Sequence, residues 1–341
     1  MEPIIYTSPN LLYNNSYNFQ NGAKNMKKAI EVENLSRTYK MKGDKKTALN
    51  QINFEVMEGE VFGLLGPNGA GKTTTIKILT TLLLPSAGSA KVLGYDVVKE
   101  GSKIRDKINF VYGGERGVYG RLTATEYMHY FCTLYKIPNK EQSHLITKLL
   151  ELVGLIKAEN QKIHTYSKGM VQRLHIARCL INDPKIIFLD EPTIGLDPIG
   201  ARLLRDIVKD LAQKGITIIL TTHYMQEADE LCDRIAFIKN GEISMIGDPT
   251  HIKESCNHLK LFEATMQVYD TGKLKEDKFL QQVDVTEIKA PYYSVMFQVG
   301  VEEAHLEQLN EYLAKYGDVI KLERREISLE DAYVHHMKDV G

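Results

Sequence analysis

A glycine-rich loop decides the fold of this chain, and it reads Gly66-Pro67-Asn68-Gly69-Ala70-Gly71-Lys72-Thr73-Thr74. The loop contains the complete pattern G-x-x-x-x-G-K-[ST], in which the spacing between the glycines and the lysine is fixed. The residues before it, Val61–Leu65, form a short apolar run that suits a buried strand, and residues 75–79 are compatible with a helix. A glycine loop between a strand and a helix is the setting that a phosphate-binding loop requires.

The residue types in this loop meet the chemical demands of a nucleoside triphosphate. Glycines let the backbone turn tightly and bring its N–H groups close to phosphate oxygens. The helix that follows adds the positive end of its dipole. The Lys72 ammonium supplies a charge for the β- and γ-phosphates, and the Thr73 hydroxyl is a candidate ligand of Mg²⁺. We therefore expect residues 66–74 to bind a nucleoside triphosphate and Mg²⁺.

Two adjacent carboxylates follow a second apolar run. Ile186–Leu189 reads as a buried strand, and Asp190 and Glu191 come directly after it. A strand of this kind delivers both acids to its carboxyl end, where the ligands of parallel sheets bind. We predict that Asp190 holds Mg²⁺, directly or through water, and that Glu191 is the general base for an attacking water.

The overall composition is that of an ordinary globular protein of up to two domains. The 341 residues are 43% hydrophobic and 26% charged. The 43 basic and 44 acidic side chains leave a net charge of −1, which gives no electrostatic reason to expect a nucleic acid partner. The four cysteines form no C-x-x-C pair, which indicates a reducing compartment. No stretch approaches the roughly 18 apolar residues that span a bilayer.

Composition and periodicity divide the chain into three parts. Residues 1–27 are rich in Asn and Tyr and are predicted to be a disordered extension, with Met26 as an alternative natural start. Residues 28–248 alternate strand and helix patterns, which predicts an α/β fold with a mostly parallel sheet. A helical block at about 112–180 interrupts this series. Residues 249–341 alternate like strands around one helical pattern, which predicts a small α+β domain with an accessory or regulatory role.

Local signals place several elements within these parts. Short strands are predicted at Ala29–Val32 and Asn53–Val56, with a polar turn at Gly43–Lys46 between them. Thr123 and Glu126 have the spacing of a capping box, which marks the start of a helix.

Three further motifs resemble those of the ATP-binding cassette (ABC) ATPases. Tyr166–Arg173 resembles their signature L-S-G-G-Q, Ile194–Asp197 looks like their D-loop, and Thr221-Thr222-His223 is similar to their switch histidine. The order of phosphate loop, signature, acidic strand end, D-loop and histidine also matches that of the family. The resemblance covers about residues 29–247.

This resemblance implies a P-loop NTPase cassette with a RecA-like parallel-sheet core, an inserted helical subdomain and, beyond it, the small C-terminal domain. It implies ATP and Mg²⁺ as cofactors, with Thr73 and Asp190 as metal ligands. Glu191, His223 and Lys72 take the catalytic positions.

The resemblance also implies that two cassettes close head to tail around ATP, either as a homodimer or as a heterodimer. The loop of one cassette then faces Ser167 and Gly169 of the other, whose N–H groups and helix dipole meet the γ-phosphate. Tyr39 stands where the family places an aromatic ring against adenine. The nucleotide-binding residues implied in this way are Tyr39, Gly66, Pro67, Asn68, Gly69, Ala70, Gly71, Lys72, Thr73, Thr74, Ser167 and Gly169.

The chain departs from the family pattern at two places. In the signature, Lys168 replaces a glycine and Met170 replaces the glutamine, while the serine and second glycine are retained. The larger departure follows the predicted strand Ile108–Tyr112, where the family has a glutamine and this chain has Gly113-Gly114-Glu115-Arg116. Either Glu115 substitutes for that glutamine or the alignment is displaced and nothing does.

The leading functional expectation is an ATP-hydrolysing subunit that drives export by a separate integral-membrane permease. Such a subunit is cytoplasmic and peripheral on the cytoplasmic face of the membrane, with Tyr112–Leu122 and the helical block receiving the permease. Residues 113–122 and the tail Ser328–Tyr333 look most like multidrug, antibiotic or sodium exporters of the type-2 permease group. The alternatives are a soluble cassette ATPase that acts on ribosomes or DNA, and a regulatory cassette that hydrolyses ATP weakly.

Overall fold

The computed structural model describes residues 27–41, 44–113, 119–256, 260–277, 279–299 and 306–338. The predicted disordered extension, residues 1–27, lies outside the described residues except for its last member. The strands, in chain order, are β1 (Lys28–Met41), β2 (Asp44–Met57), β3 (Val61–Leu65), β4 (Ala87–Val92), β5 (Tyr95–Asp96), β6 (Ile108–Tyr112), β7 (Ile186–Asp190), β8 (Thr217–Thr222), β9 (Arg234–Lys239), β10 (Glu242–Gly247), β11 (Lys260–Val268), β12 (Leu280–Lys289), β13 (Tyr292–Val299) and β14 (Gly317–Arg325).

The helices pack on three sheets that these strands form. They are α1 (Lys72–Leu79), α2 (Gly101–Arg105), α3 (Ala124–Leu134), α4 (Asn139–Leu152), α5 (Lys168–Cys179), α6 (Pro198–Gln213), α7 (Met225–Leu231), α8 (Pro249–Ser255), α9 (Thr271–Lys275), α10 (Leu306–Leu313) and α11 (Leu329–Lys338). Two short 3-10 helices, Ile156–Ala158 and Ile163–Thr165, lie between α4 and α5.

A six-stranded sheet forms the centre of the molecule, in the order β10-β9-β3-β8-β7-β6. Every pair from β9 to β6 is parallel, and only β10 pairs in the antiparallel sense. Every residue of β3, β7 and β8 is buried, because helices or a second sheet cover both faces. This explains why β3 and residues 186–189 of β7 are continuous apolar runs, and it confirms the predicted α/β fold with a parallel-sheet core.

A four-stranded antiparallel sheet, β2-β1-β4-β5, covers one face of the central sheet. The first two strands are longer than predicted, and the predicted turn is wrong at residues 44–46, which belong to β2, while Gly43 lies outside the described residues. The ladder between β1 and β2 continues through the pairs Tyr39 with Lys46 and Lys40 with Lys45 as far as Met41 with Asp44. The cross-strand pairing along this ladder outweighs the low strand propensity of Asp and Lys.

The inserted block between β6 and β7 is helical, as its sequence predicts. Helix α3 begins with the predicted capping box: the Thr123 side chain accepts from the Glu126 N–H, and the Thr123 N–H donates to the Glu126 carboxylate at 2.7 Å. The two partners satisfy N–H groups that have no acceptor inside the helix. Helices α3, α4 and α5 bury a shared apolar interior that is continuous with one face of the central sheet.

The C-terminal strands form a third sheet with its own core. Its connectivity is β11-α9-β12-β13-α10-β14 and its strand order is β12-β13-β11-β14, all antiparallel, which is a ferredoxin-like arrangement. Helix α11 then returns to the cassette. Leu329 and Ala332 belong to the cassette core, and the Tyr333 ring meets the Phe237 ring at 5.1 Å. The boundary at residue 249 stays a prediction.

Among the described residues, no helix is long and apolar enough to cross a membrane.

We predict that the helical block loses stability in mild acid because His175 of α5 is buried in its neutral form. Burial, together with the positive charge of Arg178, lowers the pKa of His175 from 6.5 to about 4. Between these values the unfolded chain binds a proton that the folded chain does not, so stability falls as the pH falls. The difference between pH 7 and pH 5 is about 2 kcal/mol.

Urea unfolding at pH 7 and pH 5 measures this effect. His175→Gln removes the titrating group, so the pH dependence of its unfolding midpoint is smaller than that of the wild type. His144→Gln is the matched control, because His144 is exposed on α4 of the same block. Equal pH dependence in wild type and His175→Gln contradicts the prediction.

Candidate functional site

The glycine loop connects β3 to α1, as its sequence predicts. Gly69 and Gly71 have φ values of 83° and 118°, which lie in the left-handed region that side chains disfavour. A Cβ on Gly66 would overlap the carbonyl oxygen of Ile238 on the neighbouring strand β9. The glycines are therefore required by backbone conformation and by close packing.

Lys72 is the first residue of α1, and its side chain is buried. Its Nζ donates to the Gly66 carbonyl at 2.6 Å and to the Pro67 carbonyl at 3.3 Å. The Glu191 Oε1 atom lies 3.4 Å from the same Nζ. The structure thus brings Lys72 and Glu191 together, as expected for groups that act on one phosphate.

Thr73 and Asp190 also meet at the end of the loop. The Thr73 hydroxyl donates to Asp190 Oδ2 at 2.9 Å, and the Asp190 side chain is almost fully buried. Asp190 Oδ1 accepts from the Thr221 hydroxyl at 2.5 Å. A hydroxyl and a carboxylate oxygen are the hard oxygen ligands that Mg²⁺ prefers, so the donor set of Thr73 and Asp190 fits this ion.

Glu191 follows Asp190 with a backbone conformation that is rare for its residue type. Its φ is 51°, in the left-handed region. Its N–H donates to the Thr221 carbonyl at 2.9 Å, and His223 Nδ1 lies 3.4 Å from its Oε2 atom. The Glu191 carboxylate therefore lies between the Lys72 ammonium and the His223 imidazole. The three residues that the sequence predicts to be catalytic, Lys72, Glu191 and His223, are therefore close together.

An open cavity of about 270 Å³ extends from the loop towards the β1–β2 hairpin. Tyr39 lines it, as expected for a ring that stacks on adenine, and the Arg37 guanidinium lies 4.8 Å from the centre of that ring on β1. The complete lining is Tyr39, Lys46, Ala48, Pro67, Asn68, Gly69, Gly71, Lys72, Thr73, Thr74 and Glu191.

The sequence interpretation missed Lys46 and Ala48. Both lie on β2, and Lys46 is the residue that pairs directly with Tyr39 on β1. The register of a hairpin is not visible in the sequence of either strand, and the turn predicted at residues 43–46 included Lys46 itself. Lys46 adds a second cationic side chain to the cavity.

Ser167 and Gly169 lie away from this cavity. Ser167 is exposed and caps α5, since its hydroxyl accepts from the Met170 N–H at 3.3 Å. Gly169 follows in the first turn of the same helix. One chain therefore does not bring the signature residues to its own phosphate loop, in keeping with the expectation that they serve the loop of a second cassette.

The departure at Gly113 has a structural reason. The Gly113 N–H donates to the Asp190 carbonyl at 2.6 Å, and a Cβ at this position would overlap the Glu191 carbonyl oxygen and lie 2.9 Å from Ile194 Cγ2. In this backbone arrangement no side chain fits at residue 113. Glu115, the alternative to the family glutamine, lies outside the described residues.

A parallel sheet with a phosphate loop, two carboxylates at a strand end and an inserted helical block defines a P-loop nucleotide hydrolase. Comparison with known proteins narrows the class. Residues 49–194 match the family described as ABC transporter.

Relatives extend this match over most of the chain. The chain is 33% identical over 312 residues to the linearmycin resistance ATP-binding protein LnrL of Bacillus subtilis, a match that covers 90% of this chain and 97% of the relative. It is 42% identical over 225 residues to the doxorubicin resistance ATP-binding protein DrrA of Mycobacterium tuberculosis, covering 66% and 67% of the two chains. This chain belongs to the ABC transporter family, as an ATP-binding subunit that hydrolyses ATP.

Solved structures agree with this assignment. A post-hydrolysis dimer of the ATP-binding cassette MJ0796 bound to ADP and Pi is 29% identical with a TM-score of 0.59, covering 64% of this chain and 98% of that one. The cassette cbiO1 from Clostridium perfringens, part of the transporter complex cbiONQ, is 28% identical with a TM-score of 0.61, covering 67% and 94%. Both likenesses confirm the cassette fold. The roles of the individual site residues stay predictions.

We predict that Gly113→Ala damages the site through the backbone. The new Cβ meets the Glu191 carbonyl, so the strand end shifts and the hydrogen bond to the Asp190 carbonyl weakens. Overpacking of this kind costs about 1–3 kcal/mol, and misplacing the carboxylates by about 1 Å lowers ATP turnover by about 100-fold.

Urea unfolding and steady-state ATP hydrolysis measure the two effects. Gly120→Ala is the control, because its nearest contact would be the His164 side chain at 3.3 Å rather than backbone. Wild-type turnover and stability in Gly113→Ala contradict the prediction.

Proposed function

We propose that this protein powers export by a separate membrane permease, as one of two cassettes that close around Mg²⁺-ATP. The observation that carries the proposal is the grouping of Lys72, Asp190, Glu191 and His223 beside the glycine loop, while Ser167 and Gly169 lie on a separate surface. One chain thus holds two half-sites, and two chains arranged head to tail complete both.

The residues beside the phosphate loop have different roles in this proposal. Thr73 and Asp190 would hold Mg²⁺, which supplies positive charge to the phosphate oxygens when bound. Lys72 binds the β- and γ-phosphates. Glu191 accepts a proton from the attacking water as the water oxygen bonds to the γ-phosphorus and the bond to the β–γ bridging oxygen breaks. His223 orients the Glu191 carboxylate, from which it lies 3.4 Å.

An apolar surface next to the D-loop supports dimerisation. Ile194, Ile199 and Leu203 are exposed where the D-loop leads into α6, and Ile199 is 72% exposed. Adjacent large apolar side chains on a surface mark a contact site. The similarity to a cassette that forms a dimer agrees with this interpretation.

An aromatic surface on the helical block supports a permease contact. Tyr119, Tyr130 and Leu134 are exposed, and the Tyr119 and Tyr130 rings meet edge to face at 5.5 Å. All three residues come after β6 in the chain. Tyr119 lies within the stretch Tyr112–Leu122, which the family uses to receive its permease, and Tyr130 and Leu134 lie on the adjoining helix α3. The relatives named for linearmycin and doxorubicin resistance support drug-like molecules as the class of cargo. Docking there makes the protein peripheral on the cytoplasmic face of the membrane.

We propose a regulatory role for the C-terminal residues 249–341. Helix α11 contacts α7, the helix that begins two residues after His223. A cavity of about 650 Å³ lies between them, lined by His223, Tyr224, Glu330 and Tyr333 among others. A shift of α11 therefore acts directly on the segment that carries the switch histidine.

The proposal for hydrolysis predicts the behaviour of Glu191→Gln. The amide cannot take the proton of the attacking water, so turnover falls by about 10²–10⁴-fold while ATP binding is retained. Bound ATP then persists, and closed dimers accumulate. Steady-state hydrolysis, equilibrium ATP binding and light scattering after gel filtration measure the three quantities.

Glu254→Gln is the matched control, because Glu254 is exposed on α8, away from the loop. Turnover at the wild-type rate in Glu191→Gln removes Glu191 from the role of base.

The proposal for transport predicts that affinity-tagged protein co-isolates with a polytopic membrane subunit from its own cells. Tyr130→Asp places a charge in the aromatic surface and lowers the yield of that subunit. Tyr292→Asp is the control, since Tyr292 is exposed on the C-terminal sheet. Recovery of ribosomes in place of a membrane subunit contradicts the proposal, and so does equal recovery with both variants.

A further inference from the structure

One buried hydroxyl touches both acidic residues of the site. Thr221 is fully buried near the end of β8. Its hydroxyl donates to Asp190 Oδ1 at 2.5 Å and accepts from the Glu191 N–H at 3.1 Å. A threonine hydroxyl has one hydrogen to donate and lone pairs to accept, so both contacts form at the same time.

Strand register brings these groups together. In the parallel pairing of β7 with β8, Asp190 is opposite Thr221. Paired residues on neighbouring strands point to the same face of a sheet, which places the hydroxyl against the carboxylate. The contact is therefore built into the pairing of the two strands and does not depend on a loop.

We propose that Thr221 is a positioning residue that orients Asp190 towards the metal and holds Glu191 in its left-handed backbone conformation. The inference rests on the proposed roles of Asp190 as metal ligand and Glu191 as base, and it assigns the group that sets their geometry. In this proposal Thr221 acts through Asp190 and Glu191.

The Asp190 side chain does not fix the orientation of its own carboxylate. Rotation about χ2 of an aspartate is soft and roughly two-fold, so neither oxygen is fixed by the side chain alone. Thr221 holds Oδ1, which leaves Oδ2 facing the Thr73 hydroxyl at 2.9 Å. Oδ2 is thereby the oxygen presented to a metal that Thr73 also binds. Without the Thr221 hydroxyl, Oδ1 is a buried acceptor with no donor, and the carboxylate turns to find one.

The backbone of Glu191 is in a strained conformation. A non-glycine residue with φ of 51° costs about 1–3 kcal/mol unless its surroundings hold it there. The Glu191 N–H has two acceptors on Thr221, the carbonyl at 2.9 Å and the hydroxyl at 3.1 Å. Thr221 thus fixes the peptide that aims the Glu191 side chain at Lys72 and His223.

Thr221→Val tests the proposal, because valine keeps the shape and removes the hydroxyl. The readout is binding of Mn²⁺, a paramagnetic substitute for Mg²⁺, titrated against the full-length protein with a non-hydrolysable ATP analogue. The electron paramagnetic resonance signal of free Mn²⁺ reports the bound fraction. We expect Mn²⁺ to bind about 10-fold more weakly. Removing the hydrogen-bond partner of a metal ligand typically lowers metal affinity by about 10- to 100-fold, and this is the lower end of that range. Binding of the analogue without metal is unchanged, and Thr221→Ser restores Mn²⁺ affinity.

Thr217→Val is the matched control on the same strand. Thr217 is buried, and its hydroxyl accepts from the Gly59 N–H at 2.9 Å at the far end of β8. Thr217→Val therefore loses a backbone-to-hydroxyl hydrogen bond like the one from the Glu191 N–H to Thr221, and we expect wild-type Mn²⁺ affinity. Where the valine variant does not fold, Thr221→Ala removes the same hydroxyl without placing a methyl group against Asp190, and it decides the question.

Two comparisons separate failure of this inference from failure of the proposed site. Wild-type Mn²⁺ affinity in Thr221→Val, with weakened affinity in Asp190→Asn, overturns the role of Thr221 alone. Wild-type affinity in Asp190→Asn overturns the metal site and this inference with it. Equal weakening in Thr217→Val and Thr221→Val shows a general loss of stability and also overturns the inference.

Discussion

Strand β7 lies between β6 and β8 in the central sheet. The parallel pairing on its two sides determines which residues meet at the carboxyl ends of these three strands. Tyr112, Asp190 and Thr221 are neighbours across these three strands. Because the strands are parallel, their carboxyl ends share one edge with the end of β3, from which the phosphate loop starts. A shift of one residue in either pairing would turn Asp190 to the opposite face of the sheet. The positions of the site residues are therefore set first by the register between the strands.

Electrostatic balance then sets the position of Glu191. Its carboxylate lies 3.4 Å from the Lys72 ammonium and 3.4 Å from the His223 imidazole. A buried ammonium is costly unless it has partners, and Lys72 finds them in two backbone carbonyls and this carboxylate. The residue that neutralises the lysine is also the one that we propose as the base. Structural and chemical demands are thus met by the same group.

The sequence predicts the parts of the site whose chemistry is local. The phosphate loop, the acids after β7 and the histidine after β8 follow from residue type and spacing, and the structure brings them together. The place of Lys46 in the cavity could not be predicted, because it depends on which residue of β1 faces it. The reason for glycine at residue 113 could not be predicted either, because it is the close approach of the Glu191 carbonyl. The strand pattern of the C-terminal part indicates an α+β unit, but alternation in one strand says nothing about strand order. The ferredoxin-like connectivity is therefore visible only in the structure.

The return of α11 to the cassette changes the mechanical character of the C-terminal sheet. That sheet is attached at both ends, through α8 on one side and through α11 on the other, and both helices contribute buried side chains to the cassette core. A unit held at two points cannot swing as a pendant on a single hinge. Any rearrangement of its strands pulls on two fixed anchors, and one of these lies against the helix that follows His223. In sequence the C-terminal sheet is an appendage, but in the folded protein it behaves as an insertion in the cassette.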